Sequence, residues 1–260
     1  MTVRGSVLRI GEPVERLAVL SDVHANVPAL EAVLAEPDVH AADLVLFCGD
    51  LTWGPEPVRT VELVRALGPR AVFVRGNADR AVLELAAGDR AAATPREAWM
   101  LARHPVDAVA FLAGFHFGVV VEVAGLGPVR CCHGSPRADT ELVTPATPAA
   151  RMAALSAGVP ERILVGGHTH LQFDRTVGGL RSVNPGSVGL PYHDGAPGTA
   201  YWALLGPDVS LRRSRYDVRL ALAATADAGD PKADTITDLL TSPPSVAGLT
   251  AHAEGLEFSD

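Results

Sequence analysis

Short apolar runs alternate with stretches of helical apolar spacing through the first eighty residues of the chain. The runs at 17–20, 44–48 and 71–74 have the length and continuity of buried strands. Between them, residues 27–35 and 57–67 place apolar side chains at intervals of three and four, which is typical of amphipathic helices. Strands that are each separated by one helix predict a parallel sheet built from two right-handed βαβ units.

The pattern changes between residues 79 and 116, where short helical segments follow one another without an intervening strand. Helices are predicted at 78–87, 96–103 and 106–113, with breaks near Gly88 and at Pro105. This helical insertion has two interpretations of similar weight. It forms either a lid beside a functional site or a cover for one face of the sheet.

The second half of the chain has mainly strand-like patterns. A hairpin is predicted from strands at 117–123 and 129–133, and residues 148–157 are predicted to be a helix. Further strands are predicted at 162–165, 172–177, 180–183, 199–205 and 209–216. Strand–helix units followed by hairpins indicate an α/β protein with two packed mixed sheets and helices outside.

After about residue 224 the apolar periodicity fades into Ala, Asp, Thr, Ser and Pro. We therefore divide the chain into a domain at 1–224 and a C-terminal tail at 225–260. The tail carries seven acidic residues against a single Lys232, a net charge of −6. This charge and the low hydrophobicity predict a disordered or loosely docked tail, in which a helix at 235–240 is a weaker expectation.

Charge and hydropathy narrow the function classes. The formal net charge is −8, and outside the tail the chain is near neutral, without the basic stripe that long nucleic acids usually require. The apolar stretches are strand-sized, and no basic-then-apolar segment stands near the amino terminus. We therefore expect a cytoplasmic protein that binds neither membranes nor long nucleic acids. The sequence does not indicate an oligomeric state.

Polar residues with metal-binding side chains follow the predicted strands at the points where those strands end. They are Asp22, His24, Asp50, Asn77, His133, His168 and His170. Residues two apart lie on one side of an extended segment. The Asp-x-His pair can therefore reach one common ion, and the His-x-His pair can reach either one ion or two neighbouring ions. Carboxylate, amide and imidazole donors suit a pair of hydrolytic divalent metals. They favour manganese, iron or zinc over calcium or a thiolate-bound structural zinc.

These motifs resemble those of the calcineurin-like metallophosphoesterase superfamily. Asp-x-His, Gly-Asp, Gly-Asn-x-Asp, His and Gly-His-x-His occur in that order across residues 22–170. The segment at 184–189, Asn-Pro-Gly-Ser-Val-Gly, is similar to the small bacterial and archaeal phosphodiesterase branch. The resemblance extends over residues 16–216. It implies a four-layer α/β/β/α sandwich of two mixed sheets flanked by helices.

The resemblance also implies two metal sites that share one carboxylate. The first metal site would consist of Asp22, His24, Asp50 and His170. The second metal site would consist of Asp50, Asn77, His133 and His168. Asp50 would bridge the two ions, and Asn77 would also contact a phosphate oxygen of the substrate.

The implied activity is that of a metal-dependent phosphoesterase, above all a phosphodiesterase, acting on a small phosphate ester or nucleotide. A hydroxide bridging the two divalent metals would attack phosphorus, with manganese the preferred metal and iron or zinc the alternatives. The implied catalytic residues are Asp50, Asn77, His133 and His168. Two other interpretations stay open: a phosphomonoesterase or nucleotide-anhydride hydrolase at the same site, and a weakly active metal-binding scaffold.

One position departs from the family pattern. The third motif is most often Gly-Asn-His-Asp, whose His is usually taken as a leaving-group acid or a transition-state stabiliser, whereas this chain has Ala78. Losing a general acid commonly costs about 10²- to 10⁴-fold in rate for a poor leaving group, and much less for an acidic one. We therefore expect a preference for aryl-like esters, diesters with good leaving groups, or phosphoanhydrides.

Several residues near the motifs have two interpretations each. Asp79 is expected to be a surface charge, with orientation of a metal ligand as the alternative. His193 is a candidate replacement for the missing acid, although a solvated loop histidine is the more common case. Trp53 either stacks on a base or aromatic leaving group, or packs in the core or a lid. The three cysteines fall in predicted strands and are expected to be small core residues.

Overall fold

The computed structural model describes residues 6–256 of the chain. The strands are β1 (Val7–Val14), β2 (Leu17–Leu20), β3 (Leu44–Cys48), β4 (Ala71–Val74), β5 (Gly118–Val123), β6 (Gly127–Cys132), β7 (Ile163–Val165), β8 (Phe173–Val177), β9 (Leu180–Asn184), β10 (Thr199–Leu205) and β11 (Val209–Arg215). The helices are α1 (Val27–Leu34), α2 (Pro37–His40), α3 (Pro57–Arg65), α4 (Asn77–Ala87), α5 (Pro95–Ala102), α6 (Val106–Leu112), α7 (Ala149–Leu155), α8 (Val218–Ala228), α9 (Ala233–Thr241) and α10 (Val246–Gly255). In this described part of the chain, no helix combines the length and hydrophobicity that crossing a bilayer requires.

The strands form two mixed sheets. A six-stranded sheet has the order β1-β5-β6-β7-β9-β8, and a five-stranded sheet has the order β11-β10-β2-β3-β4. Strands β2, β3 and β4 run parallel, and β6 runs parallel to β7, whereas β5–β6 and β10–β11 are antiparallel pairs. The parallel group β2–β4 corresponds to the two βαβ units predicted at the start of the chain.

Alternating side chains in the strands build a core on each face of the five-stranded sheet. In β2, Leu17 and Val19 belong to the core between the two sheets. Ala18 and Leu20 belong to a second core, which lies between this sheet and the helices outside it. Helix α7 covers the outer face of the six-stranded sheet in the same way. The layers are therefore helix, sheet, sheet and helix, which confirms the expected α/β/β/α sandwich.

The insertion between β4 and β5 covers the outer face of the five-stranded sheet. Phe111 and Phe115 pack around Phe73 of β4, with ring centroids 5.1 and 4.7 Å from it. His104, between α5 and α6, binds the hydroxyl of Thr52 through its ring at 2.9 Å and so joins the insertion to the loop after β3. These contacts favour the second interpretation of the insertion, a cover for the sheet.

Strand β1 lies outside every predicted element. It pairs in parallel with β5 at the edge of the six-stranded sheet. Most of its side chains are exposed or half-buried, because an edge strand has a neighbour on one side only. Arg9, Gly11 and Glu12 interrupt its apolar residues, so its local pattern is too weak to predict a strand.

The C-terminal segment differs from the expected disordered or loosely docked tail. Helix α8 packs against α1, and Ala221, Ile236 and Leu240 form a small buried core between α8 and α9. Helix α8 also crosses the boundary predicted at residue 224. The last four residues of the predicted tail, 257–260, lie outside the described residues.

Polar contacts hold this C-terminal segment to distant parts of the chain. Arg96 of α5 binds the buried carboxylate of Asp230 through two bonds, from Nε to Oδ1 at 3.0 Å and from Nη2 to Oδ2 at 2.9 Å. Glu254 of α10 accepts hydrogen bonds from the hydroxyls of Thr144 and Thr147 at 2.6 and 2.7 Å. The partners lie 107 to 134 positions away, which explains why local apolar spacing gave no indication of docking.

Candidate metal centre

All seven predicted metal ligands stand directly after the carboxyl ends of strands. They are Asp22 and His24 after β2, Asp50 after β3, Asn77 after β4, His133 after β6, and His168 and His170 after β7. Because β2, β3 and β4 are parallel, and β6 is parallel to β7, these ends meet at a common edge in each sheet. The carboxyl edge of parallel strands is where α/β folds usually place a ligand.

Backbone strain is concentrated in the same loops. Among residues 6–256, the non-glycine residues with positive φ are Asp22, His24, Ala25, Asp50, His168 and His170, with φ between 48° and 65°. The left-handed conformation costs such residues roughly 1–2 kcal/mol each, so it persists only where surrounding contacts enforce it. The loops constrain one another, since the Asp22 N–H donates to the Gly49 carbonyl and the His24 N–H to the Asp50 carbonyl, both at 3.0 Å. This concentration of strain points to a functional site.

One group of donor atoms surrounds Asp22. Its Oδ1 lies 3.2 Å from His170 Nε2 and 3.9 Å from His133 Nε2. The Nε2 atoms of His24 and His170 are 3.2 Å apart. Asp22, His24 and His170 can therefore each offer one atom to a single cation.

A second group surrounds Asp50. Its Oδ1 lies 3.4 Å from His133 Nε2, and its Oδ2 lies 3.9 Å from His24 Nε2. His133 Nε2 is also 2.9 Å from Asn77 Oδ1. The two oxygens of Asp50 face histidines of different predicted sites, as a bridging ligand requires. Asp22 also lies within reach of a cation beside Asp50 and His133, although the resemblance assigns it to the first metal site alone.

His168 joins the cluster through both its backbone and its ring. Its N–H donates to the two carboxylate oxygens of Asp22 at 3.2 and 3.1 Å. Its ring centroid lies 5.1 Å from that of His133. The structure thus brings together all seven residues predicted from the sequence.

Each of the four histidines uses one ring nitrogen to bind a backbone carbonyl. The bonds run from His24 Nδ1 to Trp53, from His133 Nδ1 to Cys48, from His170 Nδ1 to Leu190 and from His168 Nε2 to Thr140, at 3.2, 2.8, 2.6 and 3.1 Å. A carbonyl only accepts, so the bonded nitrogen carries the proton. The other nitrogen of a neutral ring then presents a lone pair, which is the form that binds a metal.

Burial and mutual charge shift the pKa values in this cluster. Burial alone would lower the pKa of His133, but the Asp50 and Asp22 carboxylates raise it to about 10. Burial and the neighbouring His170 lower the pKa of His24 to about 4. Burial would raise the pKa of Asp50, yet His133 and His24 hold it well below its usual range. Buried carboxylates require positive charge beside them, and divalent cations would supply it in place of protons. The donor set therefore fits metal ions.

Asp79 is not the surface charge expected from the sequence. It is fully buried, and its carboxylate accepts hydrogen bonds from the N–H groups of Gly76, Asp50 and Leu51 at 2.8, 2.9 and 3.0 Å. The first of these bonds could be expected from the sequence. Gly76 directly precedes helix α4, and an acid three residues after such a position commonly accepts a hydrogen bond from its backbone N–H. The bonds to the β3 loop have no such signal, because they depend on how two strands align.

The backbone around Ala78 and two glycines brings the loops close together. The Ala78 N–H donates to Asp50 Oδ1 at 2.9 Å and so orients that carboxylate. Gly49 has a φ of +95°, and a Cβ added there would lie 2.7 Å from His133 Cγ. A Cβ on Gly76 would lie 2.9 Å from Asp50 Cγ. Any larger residue at either position would displace a predicted ligand.

The segment at 184–189 supports the loop after β7. Asn184 Nδ2 donates to the Gly167 carbonyl at 2.8 Å and to the Thr169 hydroxyl at 3.1 Å. The Ser187 hydroxyl donates to the Asp22 carbonyl at 2.8 Å. The segment that carries part of the family resemblance therefore stabilises the ligand loops through side-chain hydrogen bonds.

Aromatic residues border the cluster. The Tyr192 ring is stacked on His170, with centroids 5.0 Å apart and 17° between the planes, and no motif in the sequence indicates it. Trp53 packs against the helix-facing core and lines a narrow, mostly apolar crevice beside His24. His193 accepts a hydrogen bond from the Gly195 N–H at 2.9 Å, which is a contact within its own loop.

The three cysteines have the properties expected of core residues. Cys48, Cys131 and Cys132 are free and buried. Burial raises the pKa of all three thiols, and that of Cys132 to about 12. A thiol that stays protonated is a poor metal ligand and nucleophile, so the chemistry rests on oxygen and nitrogen donors.

Comparisons with known proteins identify the family and the fold of this chain. The model of the calcineurin-like phosphoesterase superfamily domain matches residues 16–205. A solved metallophosphoesterase from Sphaerobacter thermophilus is 28% identical to this chain, with a TM-score of 0.67 and coverage of 86% of this chain and 98% of that one. A hypothetical protein from Pyrococcus horikoshii OT3 shares the fold at 19% identity, with a TM-score of 0.73 and coverage of 88% and 99%. No curated protein sequence matches the chain.

Proposed function

Because the chain belongs to the calcineurin-like phosphoesterase superfamily, we propose that it is a metal-dependent phosphodiesterase with a centre of two divalent cations. The observation that carries the proposal is the arrangement of four histidines beside two buried carboxylates, each ring held by one backbone carbonyl. Packing alone does not require four imidazoles that share this arrangement.

The ligands would divide into two sites that share Asp50. The first metal site would use Asp22, His24 and His170 with one oxygen of Asp50. The second metal site would use Asn77, His133 and His168 with the other oxygen. When bound, the two cations would lower the pKa of a water molecule and neutralise charge on the phosphoryl group.

The protein's own groups would position these ligands and the substrate. The Ala78 N–H and the Asp79 carboxylate hold the side chain and the backbone of Asp50, respectively. The Asn77 amide can offer its oxygen to a metal and its NH₂ group to a phosphate oxygen, because an amide has both an acceptor and donors. Holding the phosphoryl group in this way would reduce the entropy cost of reaction.

The substrate proposed is a small phosphate ester or nucleotide with a good leaving group. Ala78 has no proton to give, so an alkoxide would depart slowly, whereas an aryloxide or a phosphate would depart without help. Ala78 therefore also favours a second candidate, the hydrolysis of nucleotide anhydrides at the same site.

Turnover of a chromogenic aryl phosphodiester, the matching monoester and a dinucleotide polyphosphate by manganese-loaded protein separates these activities. We expect the diester to react fastest, with activity that is lost in Asp50→Asn and retained in Asp89→Asn, a change at an exposed acid. Fastest reaction of the polyphosphate or of the monoester would favour the corresponding alternative. Metal-loaded protein that is inactive on all three would contradict the proposal and indicate a scaffold.

Manganese as the bound metal and a cytoplasmic location stay predictions from the sequence. The mixed oxygen and nitrogen donors are compatible with manganese, iron and zinc. Elemental analysis after loading with each metal, paired with activity, would rank the three.

A further inference from the structure

Arg80 connects the helix that carries Asn77 to a distant loop. Its guanidinium binds Asp139 through two bonds, from Nε to Oδ2 at 2.7 Å and from Nη2 to Oδ1 at 3.1 Å. Its Nη1 donates to Glu84, one turn further along α4, at 3.0 Å. The guanidinium is therefore fixed by its own helix on one side and by the loop on the other.

Asp139 lies in a turn at 135–141 that is held by its own hydrogen bonds. The Ser135 N–H donates to the Ala138 carbonyl at 2.8 Å, and the Ser135 hydroxyl binds the Glu141 carboxylate. Arg137 forms an ion pair with Glu141 at 2.7 Å. Asp139 and Glu141 are both buried, so each depends on its arginine partner for charge compensation.

The same turn contacts one predicted ligand of the second metal site, His168, and the residue that follows another, His133. The Thr140 carbonyl accepts the hydrogen bond from His168 Nε2 at 3.1 Å and so orients that ring. Gly134, which follows His133, lies against the turn, because a Cβ added there would be 2.7 Å from the Ala138 carbonyl. A continuous set of contacts thus runs from Asn77 through Arg80 and the turn to His168.

We propose that Arg80 is a positioning residue for the second metal site, and that it sets the separation of Asn77 from His168 without touching a metal. The proposal rests on the proposed function, because it assumes the centre of two cations. Two parallel bonds to one carboxylate fix direction as well as distance, which an arginine achieves and a lysine does not.

Titration of metal-depleted, full-length protein with manganese tests this proposal, by calorimetry and by electron paramagnetic resonance. The wild type should bind two ions per chain and give the spectrum of a coupled pair. Arg80→Ala should bind the first ion as the wild type does and the second about 10- to 100-fold more weakly. At limiting manganese its spectrum should be that of isolated ions.

Arg130→Ala is the matched control. Arg130 binds the buried Glu161 at 2.8 Å in the six-stranded sheet, so its loss also breaks an ion pair with a buried acid. This control should keep both ions with unchanged affinity. Combining Arg80→Asp with Asp139→Arg should restore part of the affinity for the second ion. A loss that is confined to the second ion, with the first unchanged, is the result that a general loss of stability does not predict.

Wild-type affinity for both ions in Arg80→Ala would overturn the proposal, and so would equal weakening of both. If Arg80→Ala does not fold, Arg80→Lys and Asp139→Asn provide the same comparison. This titration measures metal binding and not turnover. A protein that binds two ions but hydrolyses no ester in the separate turnover assay would therefore refute the proposed function alone. A wild type that binds a single ion would overturn both.

Discussion

Asp79 and Asp50 lie 29 positions apart, yet Asp79 Oδ2 accepts a hydrogen bond from the Asp50 N–H at 2.9 Å. The same oxygen also accepts the Gly76 N–H at 2.8 Å. Asp50 has a φ of 53°, so the bond from Asp79 helps to hold a strained peptide beside the predicted bridging carboxylate. One buried acid thus connects the two loops that carry Asp50 and Asn77.

Replacing Asp79 with Asn should weaken metal binding and activity about 10- to 100-fold, as changes behind metal ligands commonly do. An amide has a single oxygen acceptor, so its NH₂ group would face backbone N–H groups that now donate to a carboxylate. Calorimetric manganese affinity and kcat/KM measure the effect. Asp89→Asn, at an exposed position of the same segment, should change neither quantity. Wild-type affinity in Asp79→Asn would show that these bonds do not position the ligands.

Replacing Ala78 with His should raise kcat/KM for alkyl phosphodiesters more than for aryl ones. An imidazole at this position would protonate a poor leaving group, with a gain of up to about 10²-fold, whereas an aryloxide needs no proton. Ala78→Phe is the control, because it adds a ring without a titratable nitrogen. An equal change in kcat/KM for alkyl and aryl esters would refute the idea that Ala78 limits this protein to good leaving groups.

The sequence indicates which residues gather at the site. The candidate ligands after β2, β3 and β4 belong to one sheet and those after β6 and β7 to the other, so parallel strand ends bring each group to one edge. Correct strand boundaries are enough to place Asp22 near Asp50, whereas His133 reaches them only through the packing of the two sheets. The backbone carbonyls that orient the histidines, such as that of Thr140, have no side-chain signature. Contacts across more than 100 positions, such as that of Asp230, are equally invisible to local patterns. The sequence therefore indicates which side chains gather at the site, but not what holds them in place.

Replacing Asp230 with Ala should destabilise the protein by about 2–3 kcal/mol. The change leaves Arg96 without its buried partner. The cost is smaller than for breaking a fully buried ion pair, because the Arg96 side chain is 20% exposed. Urea unfolding measures the difference in free energy. Arg219→Ala, which breaks an exposed pair with Asp217, should leave the free energy of unfolding close to that of the wild type. Equal midpoints for Asp230→Ala and wild type would contradict firm docking of the C-terminal helices.

Replacing His104 with Gln should flatten the dependence of stability on pH. Burial lowers the pKa of His104 below its ordinary 6.5, so the unfolded chain takes up this proton more readily than the folded one. Stability from the neutral ring is therefore complete above pH 6.5 and is lost as the pH falls through the folded-state pKa. Unfolding free energies at about pH 8 and about pH 5.5 test this. The two proteins differ only at residue 104, so the difference in slope isolates His104, and matching slopes would rule it out as a contributor.

Removing metal should lower the unfolding temperature, and manganese should restore it. Ions that bind only the folded state stabilise it by about 2.7 kcal/mol per site at a free concentration of 100 Kd. The shift should grow with manganese concentration and shrink in Asp50→Asn, because that variant loses the carboxylate predicted to serve both ions. Calcium should stabilise the protein far less, since it prefers sites made only of oxygen donors and four of the seven predicted ligands are imidazoles. Equal shifts with calcium and manganese, or a full shift in Asp50→Asn, would mean that cations bind elsewhere on the surface.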